Sequence, residues 1–301
     1  MDTTQRAFGE SRKALNSKTP SQPRSRQTIT LALANQKGGV GKTTTAVNLS
    51  AVLAHRGYRI LLVDMDPQGN ATSSLGIDKR TLTQTVYDIL VNDEPAQSLV
   101  IPGVRQNLDI IPSNPSLAGA EVELVDFNER AYRLRDAIDE IGASYDLIII
   151  DCPPSLGLLT INSLSSATVV VVPIQCEYLA LEGLGQLIAT IDLVKRSLNP
   201  DLDVAGVLMT MYDARTRLSA HVVEEVRRFF PQRIFTTIVP RSIRLAEAPS
   251  YGQSIGEYDS GSRGAAAYEQ FADEVVSRLH IAAPNLAHVT APLEPSSVTA
   301  G

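Results

Sequence analysis

A glycine-rich run, KGGVGKTT at residues 37–44, constrains the fold of this chain more than any other feature of its sequence. The apolar segment before it, Ile29–Ala34, has the length of a buried strand, and the segment after it, Lys42–His55, has the length of a helix. A strand that passes through glycines directly into a helix is typical of α/β proteins. The run therefore predicts an α/β fold and marks where its first strand meets its first helix.

The rest of the chain repeats this alternation of strand-like and helix-like segments. Continuous Ile, Val and Leu runs without polar alternation predict a mainly parallel, doubly wound sheet that helices cover on both faces. Such a sheet binds ligands at the carboxyl ends of its strands. The predicted strands are Ile29–Ala34, Arg59–Val63, Leu108–Ile111, Asp146–Ile150, Thr168–Val172, Val204–Thr210 and Ile234–Val239, and the predicted helices are Lys42–His55, Asn128–Gly142, Ala180–Ser197 and Leu218–Phe230.

Composition changes at both ends of the chain. Residues 1–27 hold six basic residues against two acidic ones, and two prolines interrupt any helix there, so we expect a flexible basic tail that is solvated or touches a partner or DNA. Residues 283–301 hold three prolines and no basic residue, and we expect a second flexible tail. Residues 28–282 are then left as one folded domain, a size that buries a large core.

Charge, cysteine content and hydropathy exclude several classes of function. The formal net charge of −6 disfavours a protein that acts through a global positive field, although a local basic patch stays possible. Cys152 and Cys176 have no CxxC partner, so we expect buried, reduced thiols and a cytosolic protein. The N-terminus lacks the apolar core of a signal peptide, and the longest apolar runs are too short to span a bilayer.

The glycine-rich run has the features of a phosphate-binding loop. Glycines allow backbone N–H groups to turn inward around phosphate oxygens, and the N-terminus of the following helix adds the positive end of its dipole. Lys42 can reach the β- and γ-phosphates of a nucleotide, and the hydroxyl of Thr43 can bind Mg²⁺. One departure matters: the usual pattern GxxxxGK[ST] would place glycine at Gln36, and a second lysine, Lys37, stands inside the loop.

Carboxylates follow two of the predicted strands. Asp64 and Asp66 come after the strand that ends at Val63, and Asp151 comes after the strand that ends at Ile150. Aspartates at strand ends lie at the ligand-binding edge of the sheet, where Mg²⁺ can neutralise them. Three such groups downstream of a phosphate loop predict a site for a nucleotide and its metal ion.

Six motifs together resemble the ParA/Soj family of chromosome-partitioning ATPases. They are KGGVGKTTT, VDMDPQGNAT, IIIDCPPSLG, PIQCEYLALEG, TMYDART and RSIRLAEAPSYG, and the resemblance extends from Thr28 to Leu279. This family belongs to the P-loop NTPases with a deviant Walker A motif, a group that includes MinD and the nitrogenase iron protein. The phosphate loop is common to the whole group, whereas DPQGNAT, CEYLALEG, DART and RLAEAPS are more specific to the partition branch.

The resemblance implies a role for each matching residue. Lys37 is similar to the signature lysine that reaches the partner's phosphates in an ATP-sandwich dimer, Lys42 to the lysine that binds phosphate in its own subunit, and Asp66 to the residue that positions the attacking water. Thr43, Asp64 and Asp151 match the residues around Mg²⁺, with Asp151 as the Walker B carboxylate. The implied ATP-binding set is Lys37, Gly38, Gly39, Val40, Gly41, Lys42, Thr43, Thr44, Met211 and Pro240.

The resemblance also implies partners. An ATP-bound homodimer would bind double-stranded DNA without sequence preference through Arg215 and Arg244, and a ParB/Spo0J-type centromere-binding protein would stimulate slow hydrolysis and release it. Such a protein works in the cytoplasm on the nucleoid and segregates a chromosome or a plasmid. Arginine suits phosphate contacts that do not read bases.

Three alternatives are set against this interpretation. A MinD-like spatial regulator of cell division would end in a basic amphipathic helix, but residues after Leu279 include no lysine or arginine, so no direct membrane binding is expected. A reductase like the nitrogenase iron protein would need cluster-bridging cysteines, which Cys152 and Cys176 do not resemble. A metabolic kinase would need a domain for its acceptor substrate, and no segment of the chain resembles one.

Overall fold

The computed structural model of the protein describes residues 28–177 and 180–284, without the side chains of residues 180–183. Eight strands form one sheet, in which their order is β3-β4-β2-β5-β1-β6-β7-β8. The strands are β1 (Ile29–Leu33), β2 (Ile60–Asp64), β3 (Ile101–Arg105), β4 (Leu108–Ile111), β5 (Leu147–Asp151), β6 (Val169–Gln175), β7 (Asp203–Tyr212) and β8 (Ile234–Pro240).

Helices connect the strands and cover the sheet. They are α1 (Lys42–His55), α2 (Asn70–Ser74), α3 (Val86–Asn92), α4 (Ala96–Leu99), α5 (Leu117–Glu123), α6 (Arg133–Ile141), α7 (Leu158–Ser166), α8 (Ala180–Ser197), α9 (Arg217–Phe229), α10 (Ile243–Glu247), α11 (Ile255–Tyr258) and α12 (Arg263–Arg278). Three short 3₁₀ turns, at Leu124–Asp126, Gly142–Ser144 and Ala248–Tyr251, complete the regular structure of the described residues.

The sheet is parallel except at one edge, where β3 pairs antiparallel with β4. All other neighbours are parallel, and β1 lies in the middle between β5 and β6. From β1 the chain moves to one side of the sheet through β2 and to the other side through β6, so the strand order reverses at β1. A ligand crevice forms at such a switch point, beyond the carboxyl ends of the strands. The predicted doubly wound α/β fold is confirmed.

Side chains on alternate positions of each central strand enter two separate cores. In β5, Ile148 and Ile150 belong to the core on one face, and Leu147 and Ile149 belong to the core on the other. Helices α3, α5, α6, α7, α8 and α9 cover the first face. Helices α1 and α12 pack together on the second face, which explains why α1 is buried on most of its sides.

Two parts of the predicted secondary structure are wrong. The predicted helix Asn128–Gly142 begins only at Arg133, because Glu129 has a positive φ of 57°, which an α-helix does not allow. Strand β3 was not predicted: Pro102 and Gly103 interrupt its apolar pattern, and such residues are tolerated at a sheet edge. Most of the remaining unpredicted helices are only four to nine residues long.

The structure does not describe most of either predicted tail. Residues 1–27 lie outside the described residues, as do residues 285–301 of the predicted C-terminal tail, so the predicted domain limits stay predictions. Of the helices within 28–177 and 180–284, none combines the length and the apolar character needed to cross a bilayer.

We predict that Phe271→Ala lowers the free energy of unfolding by about 3–5 kcal/mol, because it opens a cavity in the core under α12. Phe271 is fully buried and meets Phe235 edge to face, with ring centroids 4.9 Å apart. Urea unfolding measures the loss. Phe229→Ala is the matched control, since Phe229 is 65% exposed and should change stability by no more than about 0.5 kcal/mol. Equal effects of the two substitutions would contradict the assignment of this core.

Candidate nucleotide site

The loop between β1 and α1 is held open by its own backbone and by neighbouring strands. The Asn35 amide donates to the carbonyl of Pro173 at 2.7 Å and accepts from the N–H of Lys37 at 3.0 Å. Farther along, Gly41 has a φ of 90°, which favours glycine because it has no Cβ. The hydroxyl of Thr210 fixes this end by donating to the carbonyl of Val40 at 2.8 Å. The loop thus keeps the curved shape that a phosphate requires.

Lys42 lies at the bottom of this loop and is 6% exposed. Its ammonium donates to the carbonyl of Lys37 across the loop at 3.2 Å. Burial lowers the pKa of Lys42, and the nearby charge of Asp151 opposes that effect. A buried ammonium beside backbone N–H groups makes the loop a positively charged pocket.

Lys37, the second lysine of the loop, is more exposed than Lys42. Its ammonium forms an ion pair with Glu177 at 3.3 Å, and the two side chains are 40% and 44% exposed. Exposed pairs of this kind contribute about 0–1 kcal/mol. Lys37 is therefore held only weakly in its present position and can turn outward at little cost.

Asp64 ends β2 and is fully buried, but hydrogen bonds occupy both of its oxygens. Oδ2 accepts from the N–H of Thr72 at 2.8 Å and from its hydroxyl at 2.7 Å, and Oδ1 accepts from the N–H of Asp66 at 3.2 Å. Burial raises the pKa of Asp64 to about 6, although the bonds from Thr72 act in the opposite direction. The protein itself thus satisfies this carboxylate.

Asp151 ends β5 and lies in register with Asp64 on the adjacent strand. It is also fully buried, yet neither of its carboxylate oxygens has a hydrogen-bond partner among the described residues. Burial raises its pKa, and the charge of Asp64 raises it further, while Thr43 and Lys42 act in the opposite direction. Buried carboxylates without partners indicate a missing ion or water.

Asp66 lies at the mouth of the site, 7% exposed. Its backbone is fixed on both sides: its N–H donates to Asp64, and its carbonyl accepts from the hydroxyl of Ser113 at 2.7 Å. One carboxylate oxygen, Oδ1, accepts from the N–H of Gln68 at 2.9 Å. Within the described part of the chain the other oxygen, Oδ2, has no such partner and is free to accept from a water molecule.

Met211 and Pro240, the residues predicted near adenine, lie on the neighbouring strands β7 and β8 at the carboxyl edge of the sheet. Tyr212 pairs with Pro240, and Met211 has a positive φ of 51°. The phosphate loop reaches this region, because the backbone of Gly41 lies against Thr210. The two predicted residues thus lie on the same edge as the phosphate loop.

Arg215 and Arg244 follow β7 and β8, and strand pairing brings their two loops together. Both are already in ion pairs: Arg215 binds Asp213 through two nitrogens, at 2.7 and 2.9 Å, and Arg244 lies 3.2 Å from Glu247. Two further exposed arginines, Arg217 at the start of α9 and Arg241 directly after β8, have no ion pair among the described residues. The sequence analysis missed these two, although they are neighbours of the predicted pair in the sequence.

Thr72 and Ser113 were also missed as parts of the site. Both are fully buried, and the N–H of Ser113 donates to the hydroxyl of Thr72 at 3.0 Å. Thr72 belongs to the DPQGNAT motif, which could have drawn attention to it. Ser113 follows β4, and no pattern in the sequence connects it with Asp66.

Both cysteines are free and buried, as predicted, and burial raises the pKa of each thiol to about 12. In residues 28–177 and 180–284, no three histidine, cysteine or acidic side chains are grouped so as to hold a metal ion.

Comparison with known proteins gives consistent matches. Residues 28–204 match a family model described as an AAA domain. The chromosome partitioning protein ParA of Myxococcus xanthus is 54% identical over 248 residues, which cover 82% of this chain and 88% of that protein. The sporulation initiation inhibitor protein Soj of Bacillus subtilis is 55% identical over 247 residues, covering 82% and 98%. A crystal structure of cobyrinic acid a,c-diamide synthase from Mycobacterium smegmatis, with bound ATP analog and magnesium, is 39% identical, covers 84% and 96%, and has a TM-score of 0.75.

We predict that Asp151→Asn stabilises the metal-free, nucleotide-free protein by about 1–2 kcal/mol at pH 7.5, because it removes an unpartnered buried charge. The pKa of Asp151 is raised on folding, so its folded state binds a proton more tightly than its unfolded state. The cost of ionisation is absent at low pH and appears as pH rises above the unfolded value of about 4. Thermal unfolding in EDTA measures the difference, which should shrink towards pH 4.

Asp146→Asn is the control for this prediction, since Asp146 forms an ion pair with Arg59 at 2.9 Å. It removes a carboxylate that has a partner and should destabilise the protein at pH 7.5. If Asp151→Asn were as destabilising as Asp146→Asn, Asp151 would not be the unpartnered charge described above.

Proposed function

The chain belongs to the ParA/Soj family of chromosome-partitioning ATPases, and from that premise we propose that it is an ATP-dependent switch that binds DNA as a dimer. ATP with Mg²⁺ favours a sandwich dimer, the dimer binds DNA without sequence preference, and hydrolysis releases it. The observation that carries this proposal lies at the switch point of the sheet: the buried Lys42 interacts electrostatically with the buried Asp151, whose oxygens have no hydrogen-bond partner among the described residues.

The site suits a nucleotide with its metal ion. The loop 37–44 would surround the phosphates, with Lys42 at the β- and γ-phosphates, and the ion would neutralise Asp151, whose oxygens have no partner in the described chain. Thr43 would be a second ligand of the ion, as the family resemblance implies, and its effect on the pKa of Asp151 supports this assignment. The ion, when bound, withdraws charge from the phosphates. Met211 and Pro240 would border the adenine.

Hydrolysis would depend on Asp66. Its free oxygen can accept a hydrogen bond from the attacking water and so orient that water towards the γ-phosphate. The geometry is complete only when Lys37, or the same lysine of a second subunit, adds positive charge on the other side of the phosphate. Slow turnover in the absence of a partner follows from this incomplete arrangement.

Dimer formation would use the weakly held Lys37. Leaving Glu177 costs about 1 kcal/mol or less, because the ion pair is exposed, whereas a phosphate bearing several negative charges offers a stronger partner. The attraction between the Lys37 ammonium and the partner's nucleotide is therefore strongest when the γ-phosphate is present. That difference would make dimerisation depend on ATP.

DNA binding would use the arginines that follow β7 and β8. Four arginines lie in the two segments that follow β7 and β8: Arg215 and Arg241 in the connections, Arg217 at the start of α9, and Arg244 in α10. Asp213 neutralises the first of them, and Glu247 and Asp259 lie near the last. Binding of this kind contacts phosphates only and weakens steeply with salt. The protein would thereby associate with the nucleoid in the cytoplasm.

A ParB/Spo0J-type partner would stimulate hydrolysis and so end DNA binding. Family membership supports this step, and no described residue identifies the surface that such a partner would contact. A MinD-like role is the weaker alternative, because the family matches at more than 50% identity carry partitioning or Soj names. The cobyrinic acid a,c-diamide synthase is less similar, at 39% identity.

We predict that ATP and Mg²⁺ convert the wild-type protein to a dimer, that Lys37→Ala stays monomeric, and that Asp66→Ala remains dimeric because it cannot hydrolyse the ATP. Size-exclusion chromatography with light scattering, together with phosphate release, measures both steps. Lys195→Ala is the control: Lys195 also pairs with a carboxylate, Asp203 at 3.8 Å, but at the opposite edge of the sheet. If both site variants behaved like wild type, the proposed switch would be wrong.

We predict that Asp213→Asn strengthens ATP-dependent DNA binding about two- to fivefold, because it releases Arg215 from a two-point ion pair. Arg215→Ala should weaken binding and reduce the slope of log K against log salt by about 1. Filter binding or fluorescence anisotropy over a range of salt concentrations measures both effects.

The control for DNA binding is Arg228→Ala, because Arg228 is exposed and lies at the far end of α9. It should leave both the affinity and the salt dependence unchanged. Equal DNA binding with ATP, with ADP and without nucleotide would overturn the switch, whatever the arginine variants do.

A further inference from the structure

We propose that Thr72 is a positioning residue for ATP hydrolysis: it holds Asp64, and Asp64 in turn holds the backbone of Asp66 in its working orientation. The inference rests on the proposed ATPase function and goes further in one respect. The resemblance stated above implies that Asp64 lies at the metal ion. The inference assigns Asp64 to the support of Asp66 instead.

Protein donors satisfy both oxygens of the Asp64 carboxylate. Its Oδ2 receives two hydrogen bonds from a single residue, the N–H and the hydroxyl of Thr72, at 2.8 and 2.7 Å. Its Oδ1 receives the N–H of Asp66 at 3.2 Å. A carboxylate whose two oxygens both accept from protein donors has little capacity left for an ion. Asp64 is thus built into the protein as an acceptor.

Asp151, directly beside it, is in the opposite state. The two carboxylates are register partners on adjacent strands and both are fully buried, but neither oxygen of Asp151 has a hydrogen-bond partner in the described chain. A metal ion that enters this site gains most by neutralising the carboxylate that is not yet satisfied. The two aspartates therefore have different roles: Asp151 neutralises the ion, and Asp64 holds the backbone of Asp66.

Thr72 is the centre of a small buried network. Its hydroxyl donates to Asp64 and accepts from the N–H of Ser113 at 3.0 Å, so both hydrogen-bonding directions of the hydroxyl are used. Ser113 returns to the same loop, because its own hydroxyl donates to the carbonyl of Asp66 at 2.7 Å. Thr72, Asp64 and Ser113 are all fully buried. Networks that are fully satisfied at low dielectric are rigid.

The consequence for Asp66 is a fixed peptide on both sides of its Cα atom. Asp64 holds the N–H, and Ser113 and the N–H of Gly69 hold the carbonyl. Only the side chain of Asp66 is left to adjust, and Gln68 holds one of its oxygens. A shift of about 1 Å in a group that orients a reactant can cost about a hundredfold in rate. The network therefore sets where the attacking water can be held.

The test compares Thr72→Val, which keeps the shape and loses the hydroxyl, with Thr72→Ser, which keeps the hydroxyl. For Thr72→Val we expect kcat to fall about tenfold, with KM for ATP and the Mg²⁺ concentration for half-maximal rate unchanged within about twofold. Thr72→Ser should restore kcat to within about twofold of wild type. Thr72→Ala is a second variant in case the valine methyl group does not fit where the hydroxyl was.

A second readout does not depend on activity. Hydrogen exchange of the nucleotide-free protein should show the Asp66 amide exchanging at least about tenfold faster in Thr72→Val than in wild type, and near the wild-type rate in Thr72→Ser. Thr237→Val is the matched control: Thr237 is a buried threonine whose hydroxyl donates to Glu274 at 2.5 Å, on the far strand β8. It should change neither kcat nor the exchange of Asp66.

The outcomes separate this inference from the proposed function. If Thr72→Val both lowers kcat and speeds exchange of the Asp66 amide, while Thr72→Ser and Thr237→Val do neither, Thr72 acts through Asp66 as proposed. If Thr72→Val hydrolyses ATP like wild type, or if it mainly raises the Mg²⁺ requirement, the inference is wrong, while the ATPase function stands. If the wild-type protein hydrolyses no ATP with Mg²⁺ and DNA present, the proposed function itself fails.

Discussion

The arrangement of charge at the centre of the sheet is the constraint on which the rest of the structure depends. Asp64 and Asp151 lie in register on adjacent buried strands, and the buried Lys42 interacts electrostatically with Asp151. Isolated buried charges are costly, so these groups can be tolerated only with partners, hydrogen bonds or a shifted protonation state. Burial raises the pKa of both aspartates and lowers the pKa of Lys42, so folding disfavours the charged form of each group.

The fold places these buried charges where a bound ligand can compensate them. Because β1 is the strand at which the order reverses, the loop that follows it opens into a crevice and not onto the side of a helix. The positive φ values of Gly39 and Gly41 turn the loop around that crevice. Two cores, one on each face, hold the strands rigid beneath it. A nucleotide with its metal ion would supply both the anion that Lys42 lacks and the cation that Asp151 lacks.

Much of this could be predicted from the sequence because the decisive signals are local. The apolar strand, the glycines and Lys42 are consecutive, and Asp64 and Asp151 each end an apolar run, so their place at one edge of a parallel sheet follows from the pattern. Strand β3 could not be predicted in the same way, because Pro102 and Gly103 interrupt its apolar pattern. Its strand conformation depends on pairing with β4. The late start of α6 depends on the backbone conformation of Glu129, which no periodicity reveals.

What the sequence could not reveal is which of two similar aspartates is already satisfied. Asp64 and Asp151 look alike in the sequence, since each ends a buried strand, and both were assigned to the metal ion. The difference comes from Thr72, eight residues beyond Asp64, and from Ser113, whose contact with Asp66 spans 47 residues. The same reasoning applies to Arg215, whose pairing with Asp213 reduces the positive charge that the motif suggests. Residue type identifies the groups that can do chemistry, but the hydrogen bonds that folding creates decide which of them are left free to do it.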